Sequence, residues 1–158
     1  MIDYAGNKIC VRGCLGCSYA RHEFCLPSGM VYEDELFTMS QDWELPINGF
    51  MVIAPKRHIE KMYELTEIER VKIFEIVNKT IITLRNYKIC DAFNVIFEEK
   101  EGVHFHIWIM PRHAWMKEKC KSAINNIGEV FDYAKKNLRT VENIKHISEI
   151  CDILKGEI

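Results

Sequence analysis

Residues 103 to 110 read Val-His-Phe-His-Ile-Trp-Ile-Met, an alternation in which Val103, Phe105, Ile107 and Ile109 form one wholly apolar set. Side chains alternate across a strand, so this set predicts a core face, and His104, His106, Trp108 and Met110 line the opposite one. The run AFNVIFEE lies before it, across a polar turn around Lys100 to Gly102, and the two together predict a hairpin. Earlier, MVYEDELFTMS predicts two short strands meeting at an acidic turn around Glu33 and Asp34. NGFMVIAPKRH predicts a buried strand entered through Asn48-Gly49 and stopped by Pro55. Thr66 and Glu69 spell a capping box, and Val71, Phe74, Val77, Ile81 and Leu84 then recur at three- and four-residue steps, the mark of a long amphipathic helix. The tail from about residue 121 is predicted helical, with Ile144, Ile147, Ile150, Cys151 and Leu154 on one face. Strands followed by one central and one terminal helix predict an α+β fold with a mainly antiparallel sheet.

A chain of 158 residues suits one domain over 1–158. The net charge of −2 supplies no bulk attraction to nucleic acid or to an anionic membrane. No apolar run approaches the ~20 residues that cross a bilayer. The start MIDYAGNKIC has neither the basic nor the apolar region of a signal peptide, so a cytoplasmic protein is expected. Seven cysteines, an odd number without an export signal, argue against a disulfide framework.

Two features carry chemistry. His104 and His106 are neighbours on one strand face, where both rings reach a common site; the plainer alternative is a pair of half-buried edge-strand histidines. Four cysteines crowd the N-terminal segment, and Cys14-x-x-Cys17 can grip one metal from two sides, act as a redox pair, or pack as two thiols. Cys90, Cys120 and Cys151 fall on apolar faces or helix ends, as small hydrophobes do.

Three segments, in order, make the chain resemble the histidine triad (HIT) superfamily. They are GFMVIAPKRHIEKMYELTEIE, FNVIFEE, and His104-Phe-His106-Ile-Trp108-Ile-Met-Pro111-Arg112. The resemblance spans about residues 14 to 113 and leaves a helical extension over about 121–155. It implies a HIT-like fold and makes His106 the nucleophile that forms a covalent nucleotidyl-histidine at an α-phosphorus. Neutral imidazole, with a pKa of ~6.5, offers the lone pair this needs. The third histidine of the family's motif is Trp108 here. An indole N–H donates a hydrogen bond but transfers no proton near neutral pH, so leaving groups that depart without protonation are expected to react best. Trp108 is otherwise a stacking platform or a mark of weakened catalysis. Asn94 and Arg112 are candidates for ribose or phosphate contact, against a hairpin-holding Asn and an exposed Arg. Phe50 stands where the family commonly has histidine.

Zinc-bearing relatives pair a cysteine knuckle with two histidines, which implies a structural zinc held by Cys14, Cys17, His58 and His104, with Cys25 or Cys10 in reserve. Family habit also implies a homodimer. The function expected is a nucleotide-binding hydrolase or nucleotidyltransferase. The alternatives are a nucleotide-sensing protein without turnover and an interaction protein whose histidines serve only zinc.

Overall fold

The alternating segments assemble into one five-stranded antiparallel sheet in the computed structural model, which describes residues 1–119 and 125–158. Strands β1 (Tyr32–Glu33), β2 (Phe37–Gln41), β3 (Met51–Pro55), β4 (Phe93–Glu98) and β5 (His106–Pro111) lie in the order β1-β2-β3-β5-β4. Asp34 makes the β1–β2 turn: its Oδ1 accepts from the Leu36 and Phe37 amides at 2.8 and 2.7 Å.

The register sorts side chains onto two faces. Met39 pairs with Ile53, Ile53 with Ile107, and Met51 with Ile109. These residues are fully buried and form the main core. Helix α2 (Glu67–Asn86), which follows a short N-terminal helix α1 (Leu15–Ala20), covers that face through Ile73, Ile76 and Leu84, and α5 (Val141–Glu157) packs beside α2 and against β2 through Ile147, Ile150, Cys151 and Leu154. On the opposite face a row runs Ser40, Val52, Trp108, Ile96 across four strands.

Helix α2 begins as its sequence predicts. Thr66 Oγ1 accepts from the Glu69 amide at 3.3 Å, and the Glu69 carboxylate accepts from the Thr66 amide at 2.7 Å. Arg57 adds a two-pronged ion pair to the same carboxylate, at 2.7 Å from each oxygen, which holds Glu69 down to about 2. Arg57 therefore ties the end of the β3 segment to the helix start, although the sequence assigns it no task.

Three expectations change. The predicted strand over 103–110 begins only at His106, because the Phe105 amide turns away from β4 and donates to the Ile59 carbonyl at 2.8 Å. His104 thus sits just outside the strand, and Val103 leaves the core. The α2 stripe is rotated: Val71 and Phe74 are exposed, because Ile73 and Ile76 claim the sheet. The tail is not one helix. Two are described in it, α4 (Ile127–Asn137) and α5, after a short α3 (Ala114–Lys119) that precedes the tail, and Thr140 caps the last through its hydroxyl. Cys120 and the predicted helix start at 121 lie outside the described residues.

Candidate functional site

This second face of the sheet is roofed by the N-terminal segment, and the space between them is a cavity of about 390 Å³. Its floor is Thr38, Ser40, Val52, Ala54, His106 and Trp108; its walls include Cys14, Tyr19, Phe24, Trp43, Asp42 and Glu98. A space of this size, mostly apolar with a few convergent polar groups, suits a small ligand.

His106 is held by both nitrogens. Nδ1 lies 2.9 Å from the His104 carbonyl; a carbonyl only accepts, so Nδ1 carries a hydrogen. Nε2 lies 2.9 Å from Glu98 Oε2. The register explains that contact, since Glu98 is the cross-strand partner of His106. Trp108, two residues on, packs its ring edge against Phe50 and Phe131 at centroid distances of 5.7 Å each and stands 5.6 Å from the His106 ring. Phe131 comes from α4, so the C-terminal region packs behind Trp108 as part of a second apolar cluster.

Asp42 follows β2 and is buried against the cavity wall. Its Oδ1 accepts from the Glu44 and Leu45 amides at 2.9 and 2.8 Å. Burial nevertheless pushes its carboxyl up to about 6, because desolvation outweighs those bonds. A buried carboxylate poised beside a cavity is suited to receive hydroxyl donors.

At the rim, Cys14, Cys17, His58 and His104 bring four ligand atoms within 4.8 Å of one another. Cys14 Sγ lies 3.3 Å and Cys17 Sγ 3.5 Å from His104 Nδ1, and Cys17 Sγ lies 3.4 Å from His58 Nδ1. A tetrahedral zinc with Zn–S ~2.3 Å and Zn–N ~2.05 Å sets such edges at about 3.6 Å, so the donor set is compatible with a metal site. His104 donates its other N–H to the Pro55 carbonyl at 2.7 Å, which fixes the tautomer that leaves Nδ1 free. Burial lowers the His104 pKa, favouring the neutral ring a metal binds. Gly16 completes the knuckle: a Cβ there would sit 2.7 Å from His104 Cγ. Cys10 and Cys25 are exposed and stand apart from the four-residue cluster.

Six of the eight residues singled out by sequence are thus drawn together: His106, Trp108, Cys14, Cys17, His58 and His104. Two are not. Asn94 shares the sheet face but pairs with Met110 at the far end, where its Nδ2 is buried without a partner among the described residues. Arg112 is exposed past the end of β5. Sequence reasoning missed Glu98 and Asp42. Counting across the hairpin could have found Glu98, whereas only the folded cavity reveals Asp42.

An antiparallel α+β sheet that sets a His-x-His pair under a ligand-sized cavity defines the histidine triad class of protein. The chain belongs to the HIT domain family, whose model matches residues 23–115. It is 30% identical over 109 residues to the Bacillus subtilis (strain 168) protein called Protein hit, covering 66% of this chain and 74% of that one. By structure it is similar to a hypothetical histidine triad nucleotide-binding protein from Sulfolobus tokodaii strain7, with a TM-score of 0.63 and 19% identity over 90% of this chain and 93% of that one. A Zn-bound histidine triad family protein from Mycobacterium smegmatis superposes with a TM-score of 0.61 and 15% identity over 90% and 96%.

Proposed function

We propose that this protein is a nucleotide-binding hydrolase or nucleotidyltransferase. It acts on the α-phosphate of a nucleoside phosphoanhydride or related nucleotide, through a covalent nucleotidyl-His106. The observation that carries this is the hydrogen bond from His106 Nδ1–H to the His104 carbonyl: it commits Nδ1 and turns Nε2 toward the cavity as the nucleophile. The cavity volume suits a nucleoside; Asp42 receives the ribose hydroxyls, and the apolar walls around Trp43, Phe24 and Trp108 take the base. Family membership and the nucleotide-binding description of the Sulfolobus tokodaii protein support the ligand class.

Cys14, Cys17, His58 and His104 hold one structural zinc, in keeping with the Zn-bound description of the Mycobacterium smegmatis protein. The ion clamps the N-terminal roof to the strand that carries His106 and supplies folding free energy directly. Asn94 and Arg112, remote from the cavity, are left out of the substrate site. Ile68, Val71, Phe74 and Phe97 are exposed along α2 and the edge strand β4, and this apolar stretch pairs two copies into a homodimer. Among the described residues no helix is long and apolar enough to cross a membrane, which accords with a cytoplasmic setting.

The test is covalent trapping. Wild-type protein mixed with a panel of nucleoside polyphosphates and phosphoramidates, quenched and mapped by mass spectrometry, should carry a nucleotidyl group on His106, and His106→Ala should carry none. A second reading, a nucleotide-binding protein without turnover, draws support from the aromatic wall around Trp108. Tight nucleotide binding with neither adduct nor product would favour it.

A further inference from the structure

We infer that Glu98 is a catalytic residue: it gives a proton to the leaving atom when His106 attacks phosphorus, and takes one from water when the nucleotidyl-histidine is hydrolysed. This rests on the reading of His106 as the nucleophile.

The geometry states the requirement. Glu98 Oε2 and His106 Nε2 are 2.9 Å apart, and a nitrogen and a carboxyl oxygen at that distance share a hydrogen. Nδ1 keeps its own, committed to the His104 carbonyl. The shared hydrogen therefore sits on Nε2 or on Oε2. Attack needs the Nε2 lone pair, so the hydrogen must be on Oε2 when attack begins. One transfer thus frees the nucleophile and arms the acid.

Glu98 is also free to follow the reaction. It is the last residue of β4, its side chain is 38% exposed, and Oε1 takes no protein hydrogen bond among the described residues. Phosphorus entering in front of Nε2 displaces the carboxyl along the flank of the phosphoryl group, toward the leaving atom. The Nε2–P bond then forms as the bond from phosphorus to the leaving atom breaks. The bonding pair departs with that atom, which receives the Glu98 proton. In the return step the Glu98 carboxylate takes a proton from the attacking water, oxygen bonds to phosphorus, and the N–P pair returns to Nε2. Nucleoside monophosphate leaves, and the protonated acid is restored.

The indole of Trp108 cannot do this, so the proton comes from the neighbouring strand instead of from a third histidine. Leaving groups that require a proton, amines above all, are then turned over despite Trp108.

The experiment uses two substrates with a common nucleoside 5′-phosphoryl group, across the four ribonucleosides. One is the p-nitrophenyl ester, whose leaving group departs without a proton. The other is the phosphoramidate of an aliphatic amine. Rapid-quench measurement of the His106 adduct is made for wild type, Glu98→Gln and Glu98→Asp. Glu98→Gln should slow amine release by about 10²–10³-fold and nitrophenol release by less than about tenfold, with Glu98→Asp recovering part of the amine rate. Equal slowing of both substrates would show that Glu98 only positions the ring, and no slowing of either would remove it from the mechanism. A wild type that reacts with the ester but not the amidate would overturn the acid role alone. A wild type that forms no adduct with either would overturn the nucleophile reading too.

Discussion

His104 donates Nε2–H to the Pro55 carbonyl at 2.7 Å, and that bond aims its Nδ1 at Cys14 Sγ, 3.3 Å away. The end of β3 thereby selects the tautomer of a histidine 49 residues further along the chain. The same histidine offers its carbonyl to His106 Nδ1, so a clamp on His104 is also a clamp on the His106 ring.

Protein purified without a histidine tag should contain close to one zinc per chain by elemental analysis. Cys14→Ala should lose the metal and lower Tm by roughly 10 °C or more. Gly16→Ala sharpens the test, because alanine is the better helix former by about 1 kcal/mol. The added Cβ would still meet the His104 ring at 2.7 Å, so zinc affinity should fall despite the helix gain. A Gly16→Ala protein with full zinc and a higher Tm would count against the site as described.

Asp42 provides a stability test whose sign opposes its functional one. Its carboxyl is raised to about 6, so ionisation is costlier in the folded chain than in the unfolded one. Its contribution is most favourable below about pH 4 and worsens as pH rises through 6. Asp42→Asn keeps an oxygen for the Glu44 and Leu45 amides while removing the buried charge. It should raise stability at pH 7.5 by about 2 kcal/mol and weaken nucleoside monophosphate binding about tenfold or more. Denaturant titration and calorimetry measure the two effects; a destabilised variant with unchanged affinity would refute the role given to Asp42.

Glu69 carries the opposite dependence. Arg57, and then the Thr66 hydrogen bonds, depress its pKa to about 2, so its stabilisation is present above about pH 4.5 and fades as pH falls toward 2. Arg57 is half exposed, and screening keeps the contribution to about 2 kcal/mol. Glu69→Gln should cost about that much at pH 7, and its chemical-denaturation midpoint should converge with that of wild type near pH 2. A constant gap across the range would mean that packing, not charge, holds the helix start.

If α2 and β4 pair two copies, Phe74→Lys together with Val71→Glu should convert a dimer into a monomer by light scattering at micromolar concentration, without changing the helical circular dichroism. Both residues are already exposed, so the folded monomer loses little. A monomeric wild type would dispose of the idea.

Most of the frame was legible because it is local. Alternation in FTMSQ-type and HIWIM-type runs reports which side chains share a face, and Thr66 with Glu69 marks a helix start wherever that helix later packs. The chemistry of the site was legible too, since the identities of His104, His106, Cys14 and Cys17 limit what they can bind. Even so, the stripe Val71–Phe74 misled, because α2 carries apolar residues on more than the side that meets the sheet, and periodicity alone cannot say which side is covered.

What the tertiary structure alone decided is who meets whom. Cys14 and His104 are 90 residues apart; the resemblance to zinc-bearing relatives named them together, but no local pattern encodes their 3.3 Å approach. Glu98 reads as one acid at the edge of a turn until the β4–β5 register sets it opposite His106. Asp42 reads as a loop acid until burial beside the cavity raises its pKa. The reason is common to all three. Residue type fixes the chemistry a side chain can perform, while its partner and its dielectric surroundings are set by long-range pairing, which exists only once the sheet has closed around the cavity.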